Sequence, residues 1–207
     1  MKLITFNKNA TSQNAYLYYN EETKEGVLID PGFNADEAGK YVENNNICVK
    51  GILLTHGHYD HITAVVDVNK KVKAEVCCHI NEKNMLETPS LNLSTRTDCH
   101  VSITPDLLVN HGDMLTFGGA ALEVIHTPGH TPGCVCYYDK DNAVIFTGDT
   151  LFKESVGRSD LPGGEHDVLM ESIKAKLFTL PEGVAVYPGH GGSTSISHEV
   201  KLNPFVK

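Results

Sequence analysis

The sequence predicts an α/β sandwich, in which β-sheets are covered by helices. Short apolar runs with strand character alternate with helix-like segments along the 207 residues. Both halves of the chain show this alternation, and no low-complexity tract or linker divides them. Residues 1–207 are therefore predicted to form a single domain.

Five strands and three helices are predicted in the first half. The strands cover residues 3–6, 15–19, 26–30, 50–55 and 74–79, and polar residues or a Pro-Gly pair end them. The helices cover residues 34–45, 60–71 and 81–87. Asn34 is predicted to open the first helix, and Asp60 lies near the start of the second. Residues 88–112 are polar and have no clear period, so no element is predicted there.

The second half also alternates short predicted strands with a helix. The predicted strands cover residues 114–117, 121–126, 134–139, 143–148 and 183–189. Residues 166–180 are predicted to form a helix, because Leu169, Ile173 and Leu177 recur at helical spacing.

Composition excludes several classes of protein. The net charge is −9 and only two arginines occur, Arg96 and Arg158, which argues against nucleic acid as a partner. No apolar run approaches the roughly 18 residues of a membrane span. The N-terminal residues do not resemble a signal peptide, so a cytoplasmic location is expected. The six cysteines form no CxxC pair and are expected to be reduced and mostly buried.

Histidine and aspartate side chains follow four of the predicted strands. The segment "THGHYDH" places four of them within six positions, and "TPGHTPG", "FTGDT" and "YPGHG" each place one beside glycine. Because loops at one edge of a rigid sheet can converge, these side chains are predicted to be metal ligands. The predicted ligands are His56, His58, Asp60, His61, His130, Asp149 and His190. The other six histidines are interpreted as surface residues.

Seven nitrogen and oxygen ligands exceed the four that a tetrahedral zinc accepts, so two divalent ions are predicted. The division predicted is His56, His58 and His130 on one ion, Asp60, His61 and His190 on the other, and Asp149 as the bridge. Asp60 is also assigned a catalytic role. Its carboxylate offsets the positive end of the predicted helix over 60–71, whose dipole favours an anionic hydroxide. Zinc is the first choice of metal, although the same ligands suit iron or manganese.

These motifs resemble the metallo-β-lactamase-fold hydrolases, and most closely their glyoxalase II-like (hydroxyacylglutathione hydrolase-like) branch. The resemblance runs from "VLIDPG" at 27–32 to "NPF" at 203–205. It implies a four-layer αββα sandwich with a dinuclear site at one edge, and the same division of the ligands. It also places Asp30 near the site, where the residue either orients a ligand histidine or is a solvated turn aspartate.

The ligand set predicts hydrolysis. Bound metal lowers the pKa of water from about 15.7 to about 7, so hydroxide is present at neutral pH. All seven strong candidates are ligands, and no free general acid is evident. A thiolate, whose parent thiol has a pKa of about 8.5, can leave unprotonated, whereas an amine cannot. With the resemblance, this predicts a thioesterase that cleaves S-lactoylglutathione or a related small acyl thioester by attack of a metal-bridging hydroxide.

Substrate recognition is predicted at Arg158, nine residues after Asp149 in a glycine-rich loop. The resemblance implies a basic residue here that contacts the glycyl carboxylate of glutathione; the alternative is an Arg158–Asp160 contact that holds the loop. Full-length glyoxalase II has a C-terminal helical glutathione-binding domain. Only residues 191–207 follow His190, so that domain is expected to be absent and the use of glutathione stays open.

Two other activities stay open. "GRSD" at 157–160 resembles the "GRxD" loop of iron persulfide dioxygenases, which use one iron at positions like His56, His130 and Asp149. A lactonase of the same fold is the other alternative. No membrane partner is expected.

Overall fold

The computed structural model describes residues 1–7, 9, 11–33 and 35–206, and within them two six-stranded sheets pack face to face. The first sheet consists, in spatial order, of β1 (Lys2–Phe6), β2 (Ala15–Tyr19), β3 (Glu25–Ile29), β4 (Cys48–Leu53), β5 (Glu75–His79) and β6 (Leu107–Val109). The second consists, in spatial order, of β14 (Thr194–Ser195), β13 (Ala185–Pro188), β10 (Val144–Gly148), β9 (Val135–Asp139), β8 (Ala120–His126) and β7 (Met114–Phe117). A small hairpin pairs β11 (Leu151–Phe152) with β12 (Ser155–Val156).

Helices cover the outer face of each sheet. They are α1 (Ala35–Asn44), α2 (Tyr59–Ile62), α3 (Val65–Val72), α4 (Lys83–Glu87), α5 (His166–Ser172) and α6 (Ile196–Leu202). Single 3₁₀ turns span Ile80–Glu82 and Ser94–Arg96, and a π-helical turn over Ile173–Leu177 continues α5. None of the helices in the described ranges is long and apolar enough to cross a membrane.

The alternation of side chains along the strands creates three apolar layers. Tyr16 and Tyr18 point between the sheets, where Val27 and Phe146 also pack, whereas Leu17 points to α1 and α3. A third cluster packs β9, β10 and β13 against α5 and α6. The order is thus helix, sheet, sheet, helix, and the predicted four-layer αββα sandwich is confirmed.

Several predicted boundaries differ from the observed ones. The helix predicted over 60–71 is interrupted, because the amide of Ala64 donates to the carbonyls of Pro31 and Gly32 and redirects the chain. The one-turn α2 leaves a much smaller dipole beside Asp60 than the predicted helix would. The helix over 166–180 continues as a π turn, in which the amide of Phe178 donates to Ile173. The predicted helix start at Asn34 lies outside the described residues.

The segment 88–112 and the cysteines also have definite places. The segment forms the 3₁₀ turn at Ser94–Arg96 and the edge strand β6.

Four of the six cysteines are buried and all six are free thiols, as expected; the exposed ones are Cys48 and Cys99. The thiols therefore contribute to packing in both sheets.

The interpretation of His79 as a surface residue is wrong. His79 ends β5 in a buried position and stacks on His126, with 4.0 Å between the ring centroids. Burial, with a smaller effect of His126, lowers the pKa of His79 to about 4. The alternation of β5 points the ring into the protein, which its isolated position in the sequence did not indicate.

This buried histidine is expected to make the metal-free protein sensitive to acid. Its folded pKa lies below its unfolded value of about 6.5, so stability is fully present above pH 6.5 and is lost as the pH falls toward 4. The His79→Gln variant should lose less stability than the wild type between pH 7.5 and pH 5, by on the order of 1 kcal/mol in urea unfolding. His198→Gln, at an exposed pair with Glu154, serves as the control. Equal acid sensitivity of wild type and His79→Gln would contradict this assignment.

Candidate metal centre

The seven predicted ligands lie together at one edge of the sandwich. The ligand loops follow β4, β8, β10 and β13 directly. Within each sheet the relevant neighbours are parallel, β3 with β4 and β10 with β13, so their carboxyl ends lie at the same edge. Gly189 is required at this edge, because a Cβ there would lie 2.2 Å from Oδ1 of Asp149. The fold therefore converts seven separated positions into one cluster.

Three histidines form the first group of facing donors. Nε2 of His130 lies 3.2 Å from Nε2 of His56 and 2.9 Å from Nδ1 of His58. Zinc–nitrogen bonds of about 2.05 Å at tetrahedral angles separate the nitrogens by about 3.3 Å. The three rings, all buried, therefore present donors at nearly the spacing that one ion requires.

The second group is Asp60, His61 and His190. Nε2 of His190 lies 3.4 Å from Nε2 of His61 and 3.2 Å from Oδ2 of Asp60. Both Asp60 and His190 are partly exposed, whereas His61 is buried. This second position is consequently the more open of the two.

Asp149 lies between the two groups. Its Oδ2 is 3.6 Å from Nε2 of His130 in the first group, and its Oδ1 is 3.3 Å from Nε2 of His61 in the second. Oδ1 is buried and has no hydrogen-bond partner among the described residues. A buried carboxylate oxygen without a partner is costly unless a cation compensates it, so the donor set fits a pair of metal ions.

The ligand rings are fixed from behind by other groups. Nδ1 of His61 lies 2.9 Å from Oδ2 of Asp30, and Nδ1 of His130 donates to the carbonyl of Arg158 at 2.6 Å. Asp30 also accepts from the amide of Thr55 at 2.7 Å, and it is 2 % exposed. Asp30 is thus a buried orienting partner, and the solvated-turn alternative is wrong. Such outer contacts select the tautomer and the ring orientation of a ligand.

Asp30, His56 and His61 form a further group with donors close enough to hold an ion. The oxygens of Asp30 are already bound by Thr55 and by the far nitrogen of His61. This group therefore lies on the outer side of the ligand rings and supports the first two groups.

Glu82 was missed by sequence reasoning. It is fully buried in a 3₁₀ turn, and its carboxylate accepts from the amide of Gly57 at 2.7 Å, the hydroxyl of Thr131 at 3.0 Å and the amide of Gly133 at 2.8 Å. Gly57 separates His56 from His58, and the other two residues follow His130. One side chain therefore ties together the two loops of the first group. No pattern distinguishes Glu82 from the exposed glutamates in the sequence.

Burial and pairing set the charges of the cluster. Burial, with neighbouring imidazoles, lowers the pKa of His56 well below its usual value and that of His58 to about 3. Burial alone would raise the pKa of Asp149, but the imidazoles of His61, His130 and His190 outweigh it and lower that pKa. Neutral imidazole and ionised carboxylate are the forms that bind metal.

The second group differs in its protonation. Burial opposes the charged form of His61, yet Asp149 and Asp60 outweigh it and raise the pKa of that ring well above its usual value. Burial also opposes the charged form of His190, but its hydrogen bond to Asp60 and the charges of Asp149 and Asp60 together outweigh burial and raise the pKa of that ring. Metal binding at this group must therefore release protons.

A cleft of about 520 Å³ opens onto the cluster. Five of the predicted ligands line it, namely His58, Asp60, His130, Asp149 and His190. Its other walls are Tyr59, Leu93, Arg96, Thr97, Phe152, Ser155, Val156, Arg158 and Leu161. A volume of this size accommodates a small organic substrate.

Arg158, the predicted substrate-binding residue, lines the cleft, but its charge is already paired. Nε and Nη2 of Arg158 donate to the two carboxylate oxygens of Asp160 at 2.7 and 2.8 Å. This is the loop-holding contact considered as the alternative for Arg158. Its backbone carbonyl, which accepts from His130, gives the loop a role in orienting a ligand.

Comparison with known proteins places this cluster in a family. Residues 9–190 match the model described as the metallo-beta-lactamase superfamily. The probable metallo-hydrolase YqgX of Bacillus subtilis is 40 % identical, over 93 % of this chain and 92 % of that protein. Hydroxyacylglutathione hydrolase GloC of Haemophilus influenzae is 35 % identical, over 95 % and 94 %.

Solved structures agree with this placement. BLEG-1 B3 metallo-beta-lactamase superposes with a TM-score of 0.94 at 40 % identity, and all of both chains is covered. TTHA1623 in a di-iron-bound form superposes with a TM-score of 0.84 at 35 % identity, over 98 % of this chain and 99 % of that one. ETHE1 from Myxococcus xanthus superposes with a TM-score of 0.83 at 31 % identity, over 100 % and 84 %.

Proposed function

Since the chain belongs to the metallo-beta-lactamase superfamily and is a metallo-hydrolase, we propose that it is a thioesterase acting on small acyl thioesters such as S-lactoylglutathione. The proposed cofactor is a pair of divalent ions held by the seven ligands, with zinc as the first choice. The relative named for hydroxyacylglutathione hydrolysis supports the reaction, and the di-iron-bound structure supports a two-metal site.

One observation carries the choice of thioesters: the described part of the chain places no strong proton donor in the cleft. Among the described residues that line it, no carboxylic acid, cysteine, lysine or imidazole is present beyond the seven ligands. Tyr59 is the weak acid that remains. An amine leaving group needs a proton, whereas a thiolate with a parent pKa of about 8.5 can leave without one. A thioester is therefore the acyl derivative best matched to this cleft.

The residues of the chain supply position and charge. Two ions bound here would provide a hydroxide nucleophile at neutral pH and polarise the substrate carbonyl. Asp30 holds Nδ1 of His61, and the Arg158 carbonyl holds Nδ1 of His130, so both rings keep one orientation during turnover. The first group is buried, while the partly exposed Asp60 and His190 face the cleft from which substrate arrives.

Leaving-group dependence tests the proposal. Protein reconstituted with zinc, iron(II) or manganese(II) is assayed for thiol release from S-lactoylglutathione and from acetyl thioesters of thiols with pKa values from about 7 to 10. We expect kcat/KM to fall as the thiol pKa rises, and activity to exceed that of Asp149→Asn by about 10³-fold or more. Tyr59→Phe should retain the same dependence if the phenol donates no proton.

Two further assays separate the other activities. A β-lactam is included because one superposed structure is named a B3 metallo-beta-lactamase, and its amide nitrogen must be protonated as the ring opens. Oxygen uptake with glutathione persulfide, without thiol release from any thioester, would indicate the dioxygenase. If the β-lactam or a lactone were hydrolysed faster than every thioester, the thioesterase proposal would be overturned.

A further inference from the structure

Arg96 lies on the turn Ser94–Arg96, which forms one wall of the cleft. Asn92 holds this turn from inside: its fully buried amide donates to the carbonyl of Val101 at 2.8 Å and accepts from the amide of Ser94 at 3.0 Å. The carbonyl of Asn92 accepts from the amide of Tyr59 at 2.9 Å. The turn is therefore tied directly to the segment that carries Asp60 and His61.

The backbone beside Arg96 is strained. Leu93 has a φ of 67° and a ψ of 6°, in the left-handed region that a leucine rarely adopts, and its buried side chain also lines the cleft. Such conformations persist where the surrounding structure imposes them, and they concentrate at ligand sites. The surrounding structure thus imposes the backbone conformation of the turn that carries Arg96.

The charge of Arg96 is uncompensated. The chain contains two arginines against a net charge of −9, and both line this one cleft. Arg158 is bound bidentately by Asp160, whereas no carboxylate among the described residues lies within ion-pair distance of Arg96. Because Arg96 is exposed, its guanidinium is available to a molecule in the cleft.

We propose that Arg96, rather than Arg158, selects substrates that carry a carboxylate in the part of the thioester held away from the scissile carbonyl. The inference rests on the proposed thioesterase function and adds the substrate's charge to it. A guanidinium offers two parallel N–H donors to a carboxylate, and the apolar side chains of Leu93, Phe152 and Leu161 line the same cleft for the intervening carbons.

A matched pair of substrates isolates the charge. S-acetyl-3-mercaptopropionate and S-acetyl-3-mercaptopropionamide have the same length and differ by one negative charge. Wild type should prefer the acid, and Arg96→Gln should lose about 10-fold in kcat/KM on the acid while its value on the amide is retained. Arg158→Gln should keep the preference for the acid. Lys70→Gln is the control for net charge. It removes one positive charge from an exposed ion pair with Asp67, away from the cleft.

Two outcomes overturn the assignment of Arg96: equal losses on acid and amide in Arg96→Gln, or loss of the preference in Arg158→Gln alone. If wild type hydrolyses neither substrate, binding of the carboxylate tests the Arg96 proposal independently of the thioesterase proposal. NMR titration with 3-(methylthio)propionate and its amide should then show tighter binding of the acid to wild type, and equal binding to Arg96→Gln. Equal binding of both molecules to wild type would refute it.

Discussion

The Asp149→Asn variant is expected to retain fewer than two metals per chain after dialysis and to lose about 10³-fold or more in kcat/KM. Oδ1 of Asp149 lies 3.3 Å from His61 and its Oδ2 lies 3.6 Å from His130, so the carboxylate faces both groups of donors. Asparagine keeps the shape but replaces one oxygen with an N–H donor and removes the negative charge. Metal content by elemental analysis and thiol release measure the two effects.

Asp139→Asn is the matched control for this variant. Asp139 is buried, and it accepts hydrogen bonds from Tyr18 at 2.9 Å and from the amide of Asn142 at 3.0 Å. It lies between the sheets and contacts no predicted ligand, so its replacement should lower stability but leave metal content unchanged. Two metals per chain in Asp149→Asn would remove the basis for a bridging carboxylate.

Glu82→Ala is expected to lose about 3–5 kcal/mol of unfolding free energy and about 10- to 100-fold in metal affinity. The substitution leaves the amides of Gly57 and Gly133 and the hydroxyl of Thr131 without their buried acceptor. These donors flank His56, His58 and His130, so the loops that carry the first group lose their common tie. Urea unfolding of the metal-free protein measures stability, and competition with a chelator measures metal affinity.

Glu199 provides an internal comparison. It is also fully buried, and it accepts from the amide of Glu154 at 2.9 Å, the hydroxyl of Thr194 at 2.6 Å and the side-chain amide of Asn203 at 2.9 Å. Glu199→Ala should therefore lose comparable stability while it keeps metal affinity, since Glu199 holds α6 and not the ligand loops of the first group. Equal metal affinities in the two variants would show that Glu82 contributes only to folding.

The charge of Glu82 adds a pH dependence to this comparison. Burial raises the pKa of Glu82 to about 7, although its three hydrogen bonds oppose the shift. The pKa of Glu82 is higher in the folded state than its unfolded value of about 4.3. The stability that this group contributes is therefore fully present below pH 4.3 and is lost as the pH rises toward 7. The deficit of Glu82→Ala relative to wild type should accordingly be larger at pH 5 than at pH 8.

The ligand positions were accessible to sequence reasoning because each ligand segment follows an apolar strand and contains glycine or proline. In "THGHYDH" and in the loops of His130, Asp149 and His190, side chains that can bind metal occur just after a predicted strand. The layered fold was accessible for a related reason: the short apolar run of β2 and the helical spacing of Leu169, Ile173 and Leu177 are local properties of the chain.

Other features of the structure could not be predicted from patterns of neighbouring residues in the sequence. Residues 88–112 lack periodicity because their order comes from the side chain of Asn92 and its polar contacts, not from an apolar face. The interruption at Ala64 depends on the carbonyls of Pro31 and Gly32, which are remote in sequence. The stacking of His79 on His126 joins strands of different sheets.

The sequence by itself determined which side chains can bind metal, and that they follow strands of a layered α/β fold. Only the tertiary structure decided which other groups support the ligands or contact the substrate. They are Asp30 behind His61, Glu82 between two ligand loops, Asp160 paired with Arg158, and Arg96, which has no carboxylate partner within the described ranges. The reason is physical. Local patterns record burial and turns within a few residues, whereas hydrogen bonds and ion pairs between distant segments depend on where the folded backbone brings them.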